Sequence, residues 1–143
     1  MATPQRDLRS HIREEPALAR SVLVVRGGPI DLDKLRHHAE RTHRTFLLDG
    51  QAVWGVSVFC ALDASGASSL DAVLSDLLRS YRSVHLPRVG DLLDAGFELL
   101  PTFGRPHYTL RLAGVTDTEL SRLVGALGTG QPNPYYGQAG PRR

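Results

Sequence analysis

Apolar and polar side chains alternate without a break over residues 107–112, and this pattern constrains the fold more than any other in the chain. In an extended strand the apolar members share one face: Tyr108, Leu110 and Leu112. The polar members share the opposite face: His107, Thr109 and Arg111. One face then belongs in a hydrophobic core and the other stays open, which is typical of an antiparallel sheet covered on one side.

Turn and capping signals divide the rest of the sequence into further strands and helices. Asp49-Gly50 lies between two apolar runs and predicts a hairpin. Helices are predicted after capping residues: over about 32–42 after Asp31, over about 69–81 from Ser69, and to about 127 after Thr116. Together with the apolar extended segments, this order predicts an α+β fold. It is a single domain in which a mixed, mostly antiparallel sheet has helices packed on one side.

The length of 143 residues fits one domain, and composition divides it into three parts. Residues 1–20 are predicted to form a polar N-terminal arm with a short helix around residues 7–15. Residues 21–127 are predicted to form the single globular domain. Residues 128–143 are rich in Gly, Pro, Gln and Asn and are predicted to form a flexible C-terminal tail.

Composition also bears on the cellular compartment. No apolar run approaches the roughly 20 residues that a membrane-spanning helix needs. The polar N-terminus lacks the apolar segment of a signal peptide. Cys60 is the single cysteine of the sequence, which excludes an intramolecular disulfide and a cysteine metal cluster, and it lies in an apolar strand pattern. These features predict a cytoplasmic protein that has no membrane partner.

The charge of the chain permits a nucleic-acid partner without requiring one. The formal net charge is +2, and of the 17 basic residues only Lys34 is a lysine. Arginine suits bidentate phosphate contacts, although a GC-rich genome offers an alternative explanation for the bias. Aromatic residues make up only 6% of the chain, which argues against an aromatic stacking platform for single strands.

The polar face of the 107–112 strand carries the strongest candidate site. His107 can transfer a proton near neutral pH, while Thr109 and Arg111 share its face and Arg105 precedes it. An imidazole, a hydroxyl and guanidinium groups can together bind and act on a phosphate. The alternative is a solvated face of a sheet without a catalytic role.

Three further residues are candidates on weaker grounds. His43, in the His-x-Thr element at 43–45, could be a second catalytic histidine, although a cationic His is favoured at a helix C-terminus in any case. Arg26 ends an apolar strand before two glycines, where either an anion site or solvent is expected. Ser57 shares a strand face with Gly55, which indicates close approach of a ligand or of the protein itself. No metal site is predicted, because the histidines around residue 40 do not stack on one helix face.

The two His-x-Thr elements resemble those of the two-histidine phosphoesterases. In that family one His acts as a base and the other as an acid, and the threonines bind phosphate. Residues 106–110 are similar to the second motif of the family, whereas 43–46 departs from the first because Arg44 replaces an apolar residue. The resemblance implies that His43 and His107 share a cleft.

The chain also resembles the small ribonuclease toxins of bacterial toxin–antitoxin modules, the barnase and RelE-like class, in its size, element order and Arg/His residues on strands. This resemblance implies RNA cleavage without a cofactor or metal, and an antitoxin protein as partner. His107 would be the acid or base. Phosphate would be bound by Arg26, Arg105 and Arg111, and oriented by Tyr108 or Thr109.

Two alternatives remain open from the sequence. A strand ending in Arg26 and a later Gly-Val-Ser-Val-Phe strand are similar to the first two motifs of ADP-ribosyltransferases. That resemblance implies that Arg26 and Ser57 bind NAD, and leaves Glu98 as the acidic residue on a plausible strand. The other alternative is a non-catalytic interaction module that uses the loop at 63–69 and the Tyr135-Tyr136 pair.

Overall fold

The computed structural model describes residues 4–137. Within these residues there are nine strands: β1 (Arg6–Asp7), β2 (Val24–Gly28), β3 (Phe46–Leu48), β4 (Gln51–Ala52), β5 (Trp54–Cys60), β6 (Ser83–His85), β7 (Glu98–Leu100), β8 (His107–Leu112) and β9 (Gln131–Pro132). Four α-helices lie between them: α1 (Leu32–Thr45), α2 (Leu70–Ala72), α3 (Val89–Asp94) and α4 (Asp117–Leu127). A 3-10 turn spans Leu8–His11, and a π-helical turn spans Val73–Leu77 directly after α2.

The main sheet has six strands in the order β7-β8-β5-β2-β6-β9, and every neighbouring pair is antiparallel. A second sheet has the order β1-β3-β4, in which β1 and β3 are parallel. The predicted α+β fold with a mostly antiparallel sheet is therefore confirmed. Helices α1, α3 and α4 contribute to the core on one face, whereas the segment 70–78 packs against Val25 on the other.

The 107–112 alternation produces the two faces that the sequence predicts. The apolar members are fully buried in the main core: Tyr108, Leu110 and Leu112. Their partners across the strand pair are Val58, Val56 and Trp54, which share the same core. The polar members lie opposite Phe59, Ser57 and Gly55 on the outer face of the sheet. One strand therefore supports the core and also presents polar groups outward.

Strand β2 divides the main sheet. Its first residues, Val24 and Val25, pair with β5, but from Arg26 onward it pairs with β6 instead. The two strands therefore separate after Val25. The Arg26 side chain lies at this separation and donates a hydrogen bond to the Ser57 carbonyl of β5 at 2.6 Å. A hydrogen bond from the Arg26 side chain thus replaces a backbone hydrogen bond between the two strands. A cavity lies beside Arg26 where the strands separate.

The hairpin and the helix caps follow their sequence signals. Asp49 and Gly50 both have positive φ, 51° and 82°, as a two-residue hairpin turn between antiparallel β3 and β4 requires. Asp31 accepts hydrogen bonds from the first turn of α1, and Thr116 accepts one from Glu119 at the start of α4. Helix α1 continues to Thr45, three residues beyond its predicted end.

The helix predicted over residues 69–81 is much shorter. Its apolar spacing produces only α2 and the π-helical turn, which ends before Leu78. Val73, Leu74 and Leu78 are buried, but Leu77 and Tyr81 are 44% and 41% exposed. The periodicity was therefore a poor guide to the length of this helix, because two of its apolar residues line a cavity instead of the core.

Both predicted terminal segments make contacts with the domain. In the arm, Arg6–Asp7 pairs with β3. Leu8 is buried in a small separate core together with Leu48 and Val53. In the tail, Gln131–Pro132 pairs with β6 at the edge of the main sheet. Residues 1–3 and 138–143 lie outside the described residues. Within 4–137, none of the helices combines the length and the apolar character needed to cross a bilayer.

Candidate functional site

A cavity of about 710 Å³, here called the Arg26 cleft, opens where β2 leaves β5. Its walls come from β2, α1, β5 and the segment after the π-helical turn. The polar and aromatic residues that line it are Arg26, Asp31, Lys34, His38, Ser57, Phe59, Ser80, Tyr81, Arg82 and Tyr136. A smaller neighbouring cavity of about 230 Å³ shares Arg26, His38 and Tyr81 and adds Arg41. Cationic groups therefore predominate on the walls.

The guanidinium of Arg26 is half-buried and held by two acceptors. Nη1 donates to the Ser57 carbonyl, and Nη2 lies 2.6 Å from Nδ1 of His38. Its Nε is buried and has no hydrogen-bond partner within residues 4–137. Burial lowers the pKa of Arg26, and no carboxylate is paired with it in the described part of the chain. A buried cation with an unpaired N–H favours an anionic ligand.

His38 is the imidazole that this arginine engages. Because a guanidinium can only donate, Nδ1 of His38 accepts the hydrogen bond and the proton of the neutral ring lies on Nε2. Burial lowers the pKa of His38, and the charges of Arg26, Arg41, His37 and Lys34 lower it further. The ring is therefore neutral near neutral pH and can donate from Nε2.

Tyr81 forms an aromatic wall of the cleft by lying directly on Gly27. A Cβ atom at Gly27 would come within 2.5 to 2.7 Å of the Tyr81 ring. Only a glycine leaves room for the ring there, so the second residue of the sequence Arg26-Gly27-Gly28 serves packing. Tyr81 keeps 41% of its surface exposed and can contact a ligand.

His107 lies on the outer face of the sheet, two strands away from β2. Its Nδ1 is 3.2 Å from the Thr102 carbonyl and 3.0 Å from the Thr102 hydroxyl. A carbonyl only accepts, so Nδ1 carries the proton and Nε2 keeps its lone pair. Nε2 has no hydrogen-bond partner among the described residues and is not enclosed. This arrangement fixes the tautomer that a general base requires.

The protonation state of His107 agrees with that geometry. Burial lowers its pKa and the charge of Arg13 lowers it further, while the Thr102 carbonyl acts in the opposite direction. The imidazole is consequently neutral at neutral pH. Thr109 does not contact it directly, because its hydroxyl is buried and bonds to that of Thr102 at 2.7 Å. Thr109 therefore supports the residue that orients His107.

Phe59 lies between the Arg26 cleft and His107. Val25, Phe59 and His107 lie side by side on three neighbouring strands, β2, β5 and β8. Phe59 also lines the Arg26 cleft, and its ring meets that of His107 edge to face at 5.7 Å. Two strand spacings, about 10 Å, separate β2 from β8. Phe59 therefore adjoins both the cleft and His107, while Val25 is covered by the segment 70–78.

The other arginines predicted to bind phosphate are engaged by carboxylates. Arg105 lies 2.7 Å from Asp63 and 3.0 Å from Glu15. Arg111 lies 3.5 Å from Glu98 across β7 and β8, beside a third cavity of about 390 Å³. Both guanidinium groups have carboxylate partners, whereas Arg26 has none within residues 4–137.

Tyr108 is directed away from His107, into the core. Its ring is 2% exposed, and its hydroxyl donates to Glu15 at 2.8 Å. Burial raises the pKa of this hydroxyl, and its bond to the Glu15 carboxylate adds to the effect. Arg13 and Arg105 hold the same carboxylate. Tyr108 therefore anchors the N-terminal segment to β8 and stays protonated.

The structure does not bring His43 and His107 together. His43 stacks on Trp54, with 3.6 Å between the ring centroids, whereas His107 contacts Phe59. Trp54 and Phe59 are five positions apart along β5, about 16 Å, and face opposite sides of the sheet. The shared cleft implied by the phosphoesterase resemblance is absent from the described residues.

Of the predicted residues, the structure places Arg26 and Ser57 in one cleft, and His107 contacts Phe59 of the same cleft. Sequence reasoning missed His38, Tyr81 and Thr102. His38 was considered only as one of the histidines around residue 40, for which a metal site was rejected. Tyr81 was assigned to the buried apolar face of the helix predicted over residues 69–81. Glu98, on β7, lies beside Arg111, three strands from β2 and away from the Arg26 cleft. Within residues 4–137 no group of three or more His, Cys, Asp or Glu is positioned to hold a metal ion.

Comparison of the chain with models of known protein families, with curated protein sequences and with solved structures gave no significant match.

Proposed function

We propose that this protein cleaves RNA, with His107 as the general base and the Arg26 cleft as a binding site for a neighbouring phosphate. Nε2 of His107 takes the proton of a ribose 2′-hydroxyl, whose oxygen forms a bond to the adjacent phosphorus. The bond from phosphorus to the 5′-oxygen breaks, and that oxygen takes a proton from solvent. The products are a 2′,3′-cyclic phosphate and a 5′-hydroxyl end.

The observation that carries the proposal is the fixed tautomer of His107. The Thr102 carbonyl holds the proton on Nδ1, so the lone pair of Nε2 remains available on a partly exposed ring. Because burial lowers its pKa, the ring is in the accepting state at neutral pH. A general base needs this combination of geometry and protonation.

The Arg26 cleft supplies a cationic group without a carboxylate partner, which the surroundings of His107 lack. Arg105, near His107, is paired with carboxylates, whereas Arg26 lines a cationic cavity and has no carboxylate partner within residues 4–137. A polynucleotide that passes Phe59, which adjoins both places, would have one phosphate near His107 and another in the cleft. Arg26 then positions the chain, and His107 acts on it.

The test is cleavage of a labelled RNA by wild type, His107→Ala and His43→Ala. Loss of a general base reduces the rate by about 10²–10⁴-fold, so His107→Ala should be nearly inactive. His43→Ala removes an imidazole on the opposite face and should retain activity. Equal rates for the two variants, or no 2′,3′-cyclic phosphate among the products of the wild type, would refute the proposed mechanism.

A toxin role extends this proposal to the cell. RNA cleavage by a small protein calls for a partner that blocks the outer face of the sheet, and an antitoxin protein fits that role. Induced expression of the wild type in a bacterial host should arrest growth and fragment total RNA, while His107→Ala should do neither. Arrest with intact RNA would contradict the cleavage mechanism.

One observation favours ADP-ribosyl transfer as a second candidate. Arg26 and Ser57, the two residues similar to ADP-ribosyltransferase motifs, both line the same cleft. Glu98 lies elsewhere in the sheet, so the acidic residue of that resemblance has no counterpart here. Calorimetric titration with NAD separates the candidates: heat of binding that Arg26→Met abolishes favours transfer, and its absence excludes it.

A further inference from the structure

Phe103 is a large apolar residue that the fold holds at the surface in an unfavourable backbone conformation. It follows β7 in the turn that leads to β8 and leaves 37% of its surface exposed. Its φ is +57°, in the left-handed region that is unfavourable for a bulky residue. Asn or Gly would fit the backbone of such a turn better than phenylalanine.

Several hydrogen bonds maintain this conformation. Nη1 of Arg13 donates to three carbonyls of the turn and the strand after it, those of Thr102, Phe103 and His107. The backbone N–H of Phe103 donates to the His11 carbonyl at 2.8 Å. Because Arg13 is itself largely buried, with 18% of its side chain exposed, the turn is rigid and the ring is presented in a fixed place.

The Phe103 ring extends an aromatic row away from the Arg26 cleft. The row is Phe59, His107, Phe103 and His11, with ring centroids 5.7, 5.3 and 5.0 Å apart. Phe46 flanks Phe103 at 5.6 Å, and the Arg6 guanidinium lies 5.8 Å from the Phe46 ring. Arg6 has no carboxylate partner within residues 4–137. The row therefore combines exposed aromatic surface with an available cation.

We infer that Phe103 is a base-stacking residue and that the aromatic row binds unpaired bases of single-stranded RNA next to His107. This inference rests on the proposed RNA cleavage and names its substrate class. A base can stack on an aromatic ring only when it is released from a duplex, so the row selects single strands. Arg6 at one end and Arg26 at the other contact the phosphates on either side.

The inference is tested by binding, independently of cleavage. The probe is an octaribonucleotide with 2-aminopurine at its centre and 2′-O-methyl groups throughout, which has no free 2′-hydroxyl to react. Stacking quenches 2-aminopurine fluorescence, so the titration reports both affinity and stacking. The proteins compared are wild type, Phe103→Ala, Phe103→Tyr and Leu93→Ala. Leu93 is 41% exposed on α3, away from the outer face.

We expect Phe103→Ala to weaken binding about 10-fold and to abolish the quenching, since stacking on one aromatic ring contributes about this much. Phe103→Tyr keeps the ring and should behave as wild type, and Leu93→Ala should not differ from it. The same RNA annealed to its complement should bind more weakly than the single strand. A circular dichroism melt of each variant shows that it is folded.

Three results would overturn the inference: unchanged affinity and quenching in Phe103→Ala, equal affinity for duplex and single strand, or no RNA binding by wild type. These are distinct from failure of the proposed function. If the octaribonucleotide binds and is quenched but unmodified RNA is not cut, His107 is not a general base, and the aromatic row is still an RNA-binding surface.

Discussion

Nη2 of Arg26 lies 2.6 Å from Nδ1 of His38, so this imidazole accepts a hydrogen bond from a permanent cation. The interaction costs His38 its ability to take up a proton while the arginine remains in place. An anion that draws the guanidinium away would free Nδ1. Ligand binding in the Arg26 cleft and the protonation of His38 are therefore linked through one hydrogen bond.

Replacing Arg26 should raise the pKa of His38. Burial is the largest cause of the lowered pKa and would remain, but the charge of Arg26 is the next contribution and would be lost. In Arg26→Met, an NMR titration of the His38 ring protons should give a higher pKa than in wild type. Arg111→Met, which removes a distant cation, is the matched control. An unchanged His38 pKa in Arg26→Met would contradict the assigned hydrogen bond.

The rate of RNA cleavage should depend on pH through His107. A general base acts in its unprotonated state, and burial holds the pKa of His107 below the ordinary value of 6.5. The value of kcat/KM should therefore be flat at neutral pH and fall as the pH drops through a point below 6.5, by about tenfold per pH unit. His43→Ala should show the same profile. An inflection at or above 6.5 would show that another group is the base.

Adding a methyl group at Gly27 should disrupt the wall of the Arg26 cleft. The Cβ atom would meet the Tyr81 ring at 2.5 to 2.7 Å, so the ring has to move. Overpacking of this kind costs about 1–3 kcal/mol, and Gly27→Ala should lower the free energy of unfolding by that amount. Gly114→Ala is the control, because its Cβ would meet no atom within 4 Å. Denaturant titration of both variants measures the difference; equal stabilities would mean that Tyr81 does not pack on Gly27.

Tyr108→Phe should destabilise the fold in a pH-dependent manner. It removes the hydrogen bond to Glu15 and costs about 1.5–3 kcal/mol at neutral pH, because the acceptor is charged. Burial opposes ionisation of Glu15, but Arg13, Tyr108 and Arg105 outweigh it and lower its pKa. The stabilisation by ionised Glu15 is present above its unfolded pKa of 4.5 and is lost as pH falls through the lower folded value.

The measurement is urea unfolding of wild type and Tyr108→Phe at neutral pH and at successive values below 4.5. The difference between them should shrink at the acid end. Tyr136→Phe, at a residue 43% exposed, should match wild type throughout. A difference that stays constant across this range would show that the bond does not depend on the charge of Glu15.

Local signals in the sequence carried much of the fold. The alternation at 107–112, the Asp49-Gly50 turn and the caps at Asp31 and Thr116 each depend on residues within a few positions of one another, and each feature forms as predicted. The 69–81 helix failed because its spacing is equally compatible with a stripe that faces a cavity. Nothing local distinguishes Leu77, which lines the cleft, from Leu74, which is buried.

The site was less accessible to sequence reasoning because its residues meet only in three dimensions. Arg26 on β2 contacts His38 on α1, and Tyr81, which precedes β6, lies on Gly27 of β2. Composition was equally uninformative about the aromatic row. An aromatic content of 6% argued against a stacking platform, but a count over the whole chain says nothing about whether a few rings gather in one place.

The separation of β2 from β5 has a mechanical consequence. Beyond Val25 the backbone ladder between the two strands stops, and the Arg26 guanidinium joins them by its bond to the Ser57 carbonyl. An anion competing for that guanidinium competes directly with the carbonyl. Ligand binding in the cleft is thereby coupled to the distance between the two halves of the sheet. Arg26 both joins β2 to β5 and contributes to the ligand-binding cleft.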